Sequence, residues 1–277
     1  MIFRWTPLLL MVCSLHGQTG QEGPRREWPC VAGHAVDPAY LETSESTGGQ
    51  IFLFQKSEIG QASLFMAADY THPATVARAV GTLSGMHEFG FPVDSTIRSL
   101  LVLVSIQCRA SIGVFRPGGA EMTAANSTQS VDLQAGRGLK IDNPEPGPWK
   151  LRLEGTGLFV VSVRAQSPLQ LRAVEFLTET GPDAAGSSAI QRQPRLGAAQ
   201  ESRVHLAGAV SSPEFQLVDA AGDPISRGEN TELVDGDHRF SITPSIERFR
   251  IRLTGTDPSG WPIQRVHPVL FRAQPIK

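Results

Sequence analysis

Lys150-Leu151-Arg152-Leu153-Glu154-Gly155-Thr156 is echoed by Arg250-Ile251-Arg252-Leu253-Thr254-Gly255-Thr256. In both stretches charged or polar residues alternate with apolar ones, which is the period of a half-buried β-strand. Both break at Gly-Thr, where the strand is expected to end. Both open on an aromatic residue, Trp149 or Phe249. The echo continues upstream. Ile112–Phe115 runs through Arg116-Pro117-Gly118-Gly119 to Met122, and Phe215–Val218 runs through Asp219–Asp223 to Ile225. Each reads as strand, Gly-containing reversal, strand. Leu101 and Leu103 match Val204 and Leu206 at the same offset. Three matching segments in one order predict two consecutive β-modules of similar build.

Composition supports this. The chain has 277 residues, enough for roughly two domains. Its 25 basic and 27 acidic side chains nearly cancel and form no basic block, which argues against a nucleic-acid partner. With 27 Gly, 20 Pro and few aromatics, the balance favours an all-β chain with many turns.

Residues 1–17 read as a secretory signal peptide. Arg4 supplies the positive end, and Pro7–Leu15 is an apolar run too short to span a bilayer. The mature chain is expected to be secreted or extracellular, in the periplasm or at the cell surface if bacterial, with no membrane span. Cys30 and Cys108 then remain and can pair in an oxidising compartment. A buried free thiol at Cys108 is the equal alternative.

Residues 18–36 read as a flexible leader. Asp37-Pro38 offers an N-cap and a first-turn proline for a helix to about Ser46, which Gly48-Gly49 would stop. Gln50–Phe54 is a strand candidate, and Ser57 can cap a second helix to about Ala68. This is one unit of an open α/β sheet, a remnant covering 37–70. From about Thr75 the pattern turns to β. Strands are expected at Val76–Val80, Ile97–Ile106, Ser111–Phe115, Gln129–Leu133, Leu139–Ile141, Trp149–Glu154, Leu158–Arg164 and Leu169–Phe176. Thr178–Gln200 is small and polar and reads as an interdomain linker. Further strands follow near Arg203–Ala207, Glu214–Val218, Thr231–Val234, His238–Ile242, Phe249–Gly255 and Pro262–Phe271.

Asp37–Ala68, with Thr47-Gly48-Gly49-Gln50-Ile51-Phe52, resembles the last helix-strand-helix of a von Willebrand A domain. Phe91-Pro92-Val93-Asp94, the Pro-Gly hairpin, Glu145-Pro146-Gly147-Pro148-Trp149 and Leu169–Phe176 resemble the galactose-binding-like sandwich that follows the A domain in hemicentins and their relatives. Phe249–Gly255 and Trp261–Val266 resemble the immunoglobulin-like module that comes next. The resemblance implies two tandem β-sandwich modules, jelly-roll-like over 75–178 and immunoglobulin-like over 202–277, joined by a linker at 179–201 and preceded by the short α/β remnant. The Asp-x-Ser-x-Ser metal site of the A domain is missing from the sequence, so metal-dependent adhesion does not carry over. By analogy with related jelly rolls, a structural calcium is conceivable at Glu88 or Asp94.

Few residues point to chemistry. The seven histidines lack metal-ligand spacing, and His87-Glu88 lacks the second His of a zinc-protease helix. His205 and His267 lie in strand patterns and read as face residues. Asp235-Gly236-Asp237 offers calcium oxygens but is also what a hairpin turn uses, and the turn is the preferred reading. No Gly-x-Ser-x-Gly elbow occurs. Asn126-Ser127-Thr128 is a glycosylation acceptor if the source is eukaryotic. Trp261, in a Pro-Ser-Gly-Trp-Pro turn, is the better exposed stacking candidate, whereas Trp149 should anchor the core. Arg116, Glu121 and Glu145 mark loops suited to a ligand. The sequence therefore predicts a non-catalytic adhesion or recognition protein without a cofactor, binding an extracellular protein or glycan. The alternatives are a carbohydrate-binding module and a spacer or truncated gene product; a hydrolase would need two converging carboxylates in a cleft.

Overall fold

Leu100-Leu101-Val102-Leu103-Val104-Ser105-Ile106 is buried at every position. A strand sends successive side chains to opposite faces, so such a run needs cover on both sides. The structure, a computed structural model, describes residues 36–66, 71–177, 193–234 and 237–275. It is mainly β, with three antiparallel sheets and β-sandwich character. The strands are β1 (Ala74–Val93), β2 (Ser99–Phe115), β3 (Gln129–Asp132), β4 (Gly136–Asp142), β5 (Gly147–Gln166), β6 (Gln170–Phe176) and β7 (Gln200–Ala207). After them come β8 (Ser211–Val218), β9 (Pro224–Arg227), β10 (Glu229–Val234), β11 (Asp237–Ile242), β12 (Arg248–Thr256), β13 (Pro262–Val266) and β14 (Phe271–Arg272).

The first sheet has the order β1-β5-β2-β4-β3. β1 and β5 pair from Ala74↔Ala165 to Val93↔Gly147. Strands of 20 residues would stretch about 65 Å if straight. They are not straight. β2 carries irregularities between Ile106 and Cys108 and between Arg109 and Ser111 opposite β5, and such bulges bend a strand. Apolar residues from both halves of each long strand meet in one cluster, Ala79 and Leu83 with Phe91 and Val93, and Trp149 and Leu151 with Val161 and Val163. The Phe89 ring lies 5.7 Å from that of Phe159, the residue opposite Gly81. The sheet thus folds over on itself, and β1, β2 and β5 each serve both layers.

The Gly155-Thr156 break therefore does not end its strand; β5 continues to Gln166, and Val76–Val80 likewise belongs to a longer strand. Gly155 sits at the bend with φ 154, and a Cβ there would collide with the Cys108 carbonyl oxygen. Gly155→Ala is expected to destabilise the protein by about 2–3 kcal/mol through strain and collision, read as a lower denaturant midpoint at unchanged slope.

The leading segment covers the other face of β2. Helix α1 (Pro38–Thr47) begins as its sequence indicates. The Ala39 N–H donates to Asp37 Oδ1 at 2.9 Å, and Gly48 closes the helix at φ 73. Gln50–Phe54 is not a strand. It is extended and buried without a ladder, and the Leu53 N–H donates to Ser105 Oγ at 3.1 Å. The expected second helix is a 3-10 turn, Lys56–Gln61, and a single turn α2 (Ser63–Met66), with Gln55 rather than Ser57 at the cap. No α/β unit forms over the described part of this segment. Phe52, Phe54, Leu64 and Phe65 pack instead on Leu101, Leu103 and Leu133.

The remaining strands form two sheets, β10-β11-β7-β6 and β13-β12-β8-β9, with β14 against β12. Both sheets feed one core of Phe176, Val204, Phe215, Phe240, Phe249, Ile251 and Leu253. Leu169–Phe176, expected to close the first module, contains β6, which pairs with β7 and packs in this second core. The stretch expected to be an interdomain linker therefore connects two paired strands. Its residues 178–192 lie outside the described residues. Beyond them Leu196 N and Gly197 N donate to Gln274 O and Pro244 O, so that end is tied down. The β8–β9 hairpin over Asp219–Asp223 matches its sequence reading.

Candidate functional site

The polar chemistry of the molecule concentrates where the leading segment, the folded sheet and the second core meet. Arg78 of β1 and Arg250 of β12 are both buried here. Glu45 of α1 is 5% exposed and stands between Arg78 of β1 and Arg250 of β12. Its Oε1 lies 2.5 Å from Arg78 Nη2, and its Oε2 contacts Arg250 Nη2. Arg78 also donates to the Gly48 and Gly49 carbonyls just beyond α1, and Arg250 donates to Ala220 O at 3.0 Å. Burial lowers the Arg250 pKa to about 9, which still leaves it charged at neutral pH. The Val80 N–H reaches Ala220 O at 2.8 Å, and Gln264 Nε2 reaches Val76 O at 2.9 Å.

A second buried pair lies in the same seam. Arg265 of β13 donates to Asp94 Oδ2 at 2.7 Å, to Leu169 O at 2.9 Å and to Ser167 Oγ at 3.0 Å. Asp94 follows β1, so it ties the folded sheet to the second core. Next to it the Ser95 N–H and Oγ donate to Asp257 Oδ2 at 2.9 and 2.6 Å. Asp257 also accepts the Ser259 and Trp261 N–H groups, each at 2.9 Å. Although burial opposes it, these donors hold the Asp257 carboxyl below the usual carboxylate range.

Of the calcium candidates, Asp94 accepts from Arg265 and Thr96. Glu88 pairs with Arg152 at 2.7 Å on the surface, and Arg152 lies over the Phe115 ring at 5.1 Å. Asp237 Oδ1 lies 2.5 Å from His205 Nδ1, beside the Arg203–Glu175 pair. Asp235 lies outside the described residues. On either side of it Val234 of β10 pairs with Asp237 of β11. Among the described residues no three or more His, Cys, Asp or Glu side chains are arranged to hold a metal ion.

The ligand candidates divide into two places. Arg116, Glu121 and Glu145 are exposed on loops that touch one another, since Gly147 packs against Pro117 so closely that a Cβ would stand 2.8 Å from its Cγ. Glu121 Oε1 lies 3.4 Å from Arg137 Nη1, and the Glu145 carbonyl accepts the Trp149 indole N–H at 2.9 Å. Trp149 is thus a core anchor, as expected. Trp261 is 41% exposed on the separate turn fixed by Asp257. Asn126 is exposed in a short 3-10 turn, where its Nδ2 donates to Glu121 O at 3.1 Å. Cys108 is disulfide-bonded, which removes the free-thiol alternative; the other two cysteines, Cys13 and Cys30, lie outside the described residues.

Two histidines without a sequence signal turn out to be buried. His72 Nε2 lies 2.9 Å from Ser99 Oγ. Burial, with Lys140 and Arg164 nearby, lowers its pKa to about 4. His267 stacks on Phe271 at 5.0 Å, and its Nδ1 accepts the Val269 N–H at 3.3 Å. Burial, helped by the Arg250 charge, lowers its pKa to about 4. An unfolded histidine takes up its proton near pH 6.5. Between those values the unfolded chain binds more protons, so stability falls as pH drops from about 6.5 toward 4. His267 alone contributes up to about 3 kcal/mol of this loss. Urea midpoints at pH 7 and pH 4.5 should show it, and His267→Gln should shrink the difference.

The chain matches no protein-family model and no curated protein. Solved structures with some similarity include a Bacillus licheniformis lipase, BlEst2, in propeptide form, at 14% identity and TM-score 0.29, over 68% of this chain and 43% of that one. Another is the adhesin domain of Epf from Streptococcus pyogenes, at 11% and 0.23, over 72% and 77%. A third is a chimeric titin Z1Z2 tandem, at 15% and 0.21, over 70% and 99%. The chain spans less than half the lipase's length. Overlaps this low assign neither fold family nor function.

Proposed function

We propose that this chain is a secreted, non-catalytic recognition protein. Its two β-sandwich bodies, jelly-roll-like and then immunoglobulin-like, would stand in the hemicentin-like order and bind an extracellular protein or matrix partner. The observation that carries the reading is the seam. Glu45, Arg78, Arg250, Asp94 and Arg265 are buried charges spent on fixing two sheet bodies and a leading helix in one orientation. A fixed orientation is what a surface that must meet a partner requires. The disulfide at Cys108 fits an oxidising compartment. The loop cluster of Arg116, Glu121 and Glu145, and the turn bearing Trp261, are the surfaces offered.

The test is binding of the full chain to an array of purified extracellular matrix proteins and neutral glycans. Saturable retention on a matrix protein, weakened by Trp261→Ala or by Arg116→Ala with Glu145→Ala at unchanged melting temperature, supports the reading. Retention on neutral glycans alone moves the assignment to a carbohydrate-binding module. No retention on either, or turnover of ester or glycoside substrates, rejects it.

A further inference from the structure

A cleft of about 470 Å³ opens where α1 ends against β1, β5 and β6, with Thr47, Thr75, Arg164, Gln170 and Arg172 in its walls. A second hollow of about 450 Å³ shares Pro73 and Gln170 with it and adds Thr71, Arg98 and Gln166. Together they form one trough. Three arginines line it, and among the described residues no Asp or Glu does.

The arginines have different duties. Arg164 forms the floor and is buried, with Nε donating to His72 O at 2.9 Å and Nη1 to Thr75 Oγ1 at 2.7 Å. Arg98 and Arg172 are exposed and take part in no ion pair or side-chain hydrogen bond among the described residues. The Gly48 and Gly49 carbonyls just beyond α1 accept from Arg78. The remaining polar side chains of the lining are hydroxyl and amide, from Thr47, Thr71, Thr75, Ser167, Gln166 and Gln170.

We infer that this trough binds an acidic saccharide, with Arg98 and Arg172 gripping its carboxylate or sulfate groups and Gln166 and Gln170 meeting its hydroxyls. Guanidinium forks match both kinds of oxyanion in two-point contacts, and the combined volume suits a short oligosaccharide. An acidic peptide fits less well. It would add to the free edge of β6, but a register break between Leu171 and Ala173 interrupts that edge. Pro73, Pro168 and Pro268 also withhold backbone donors around it. The trough is distinct from the Arg116–Glu145 loops and the Trp261 turn, so the recognition role proposed above stands or falls separately.

Calorimetric titration of the full chain with trigalacturonic acid, which carries carboxylates alone, and with a heparin-derived tetrasaccharide, which adds sulfates, tests this. Saturable binding of at least one is expected, and comparing the two tells which acid group is preferred. Arg98→Ala with Arg172→Ala should weaken it by about tenfold or more. Arg227→Ala, a surface change on β9, should leave it unchanged. Failure of both saccharides to saturate, or undiminished binding by the double variant, overturns the inference. So does saturable binding of hexaglutamate where neither saccharide binds.

Discussion

Replacing Glu45 by Gln is expected to lower stability by about 3–5 kcal/mol, because it strands two buried guanidiniums against each other. Arg78 and Arg250 are almost inaccessible to water, and Glu45 is the acid both contact. Without its charge, each arginine loses the attraction that offsets its desolvation, and the like charges repel. A drop on the order of 10 °C in melting temperature should accompany the change. Removing all three charges together is a different experiment. Arg78→Met, Glu45→Leu and Arg250→Leu in one chain should recover much of the loss, since a well-packed apolar replacement carries no desolvation cost. If the single variant melts like the wild type, the triad does not hold the seam.

Asp94→Asn should cost a similar amount, about 3–5 kcal/mol, by leaving Arg265 buried beside a neutral amide. Here the second consequence matters more. Arg265 gathers Asp94, Leu169 and Ser167 around one guanidinium, so it joins the end of β1 to the start of β6 and to β13. Weakening it should loosen the two bodies from one another. Denaturation followed by two probes, Trp149 fluorescence in the first core and a label in the second, should then separate into two transitions. A double-mutant cycle with Arg265→Met isolates the pair. Coupling below about 0.5 kcal/mol would mean that the contact contributes little.

The sequence disclosed local features well and non-local ones poorly. Asp37-Pro38 and Gly48 bracket α1 because caps are made by adjacent residues. The run Leu100–Ile106 declared a strand, and its doubly apolar character matches the cover found on both faces. Gln50–Phe54 reads the same way and is equally buried, yet it pairs with no strand. Hydrophobicity reports burial; a ladder depends on which backbone lies alongside. Gly155 punctuates the pattern just as a strand end does, but opposite the β2 irregularities it makes a bend. The candidate site was hidden for a related reason. Arg250 occupies a polar position of an alternating strand, indistinguishable from Arg252 by pattern. Its burial depends on residues distant in sequence, Glu45 of α1 and Ala220. Trp261 was legible because its turn is built from its own neighbours.

In the first body no layer can be peeled from the other, since the same three strands thread both, like a folded ribbon with no cut edge at the crease. The second body is two separate leaves pressed together. Amide hydrogen exchange should register the contrast. Protons of the creased ribbon would be released only when the whole of it opens, while the leaf formed by β10, β11, β7 and β6 can part in a smaller, earlier event.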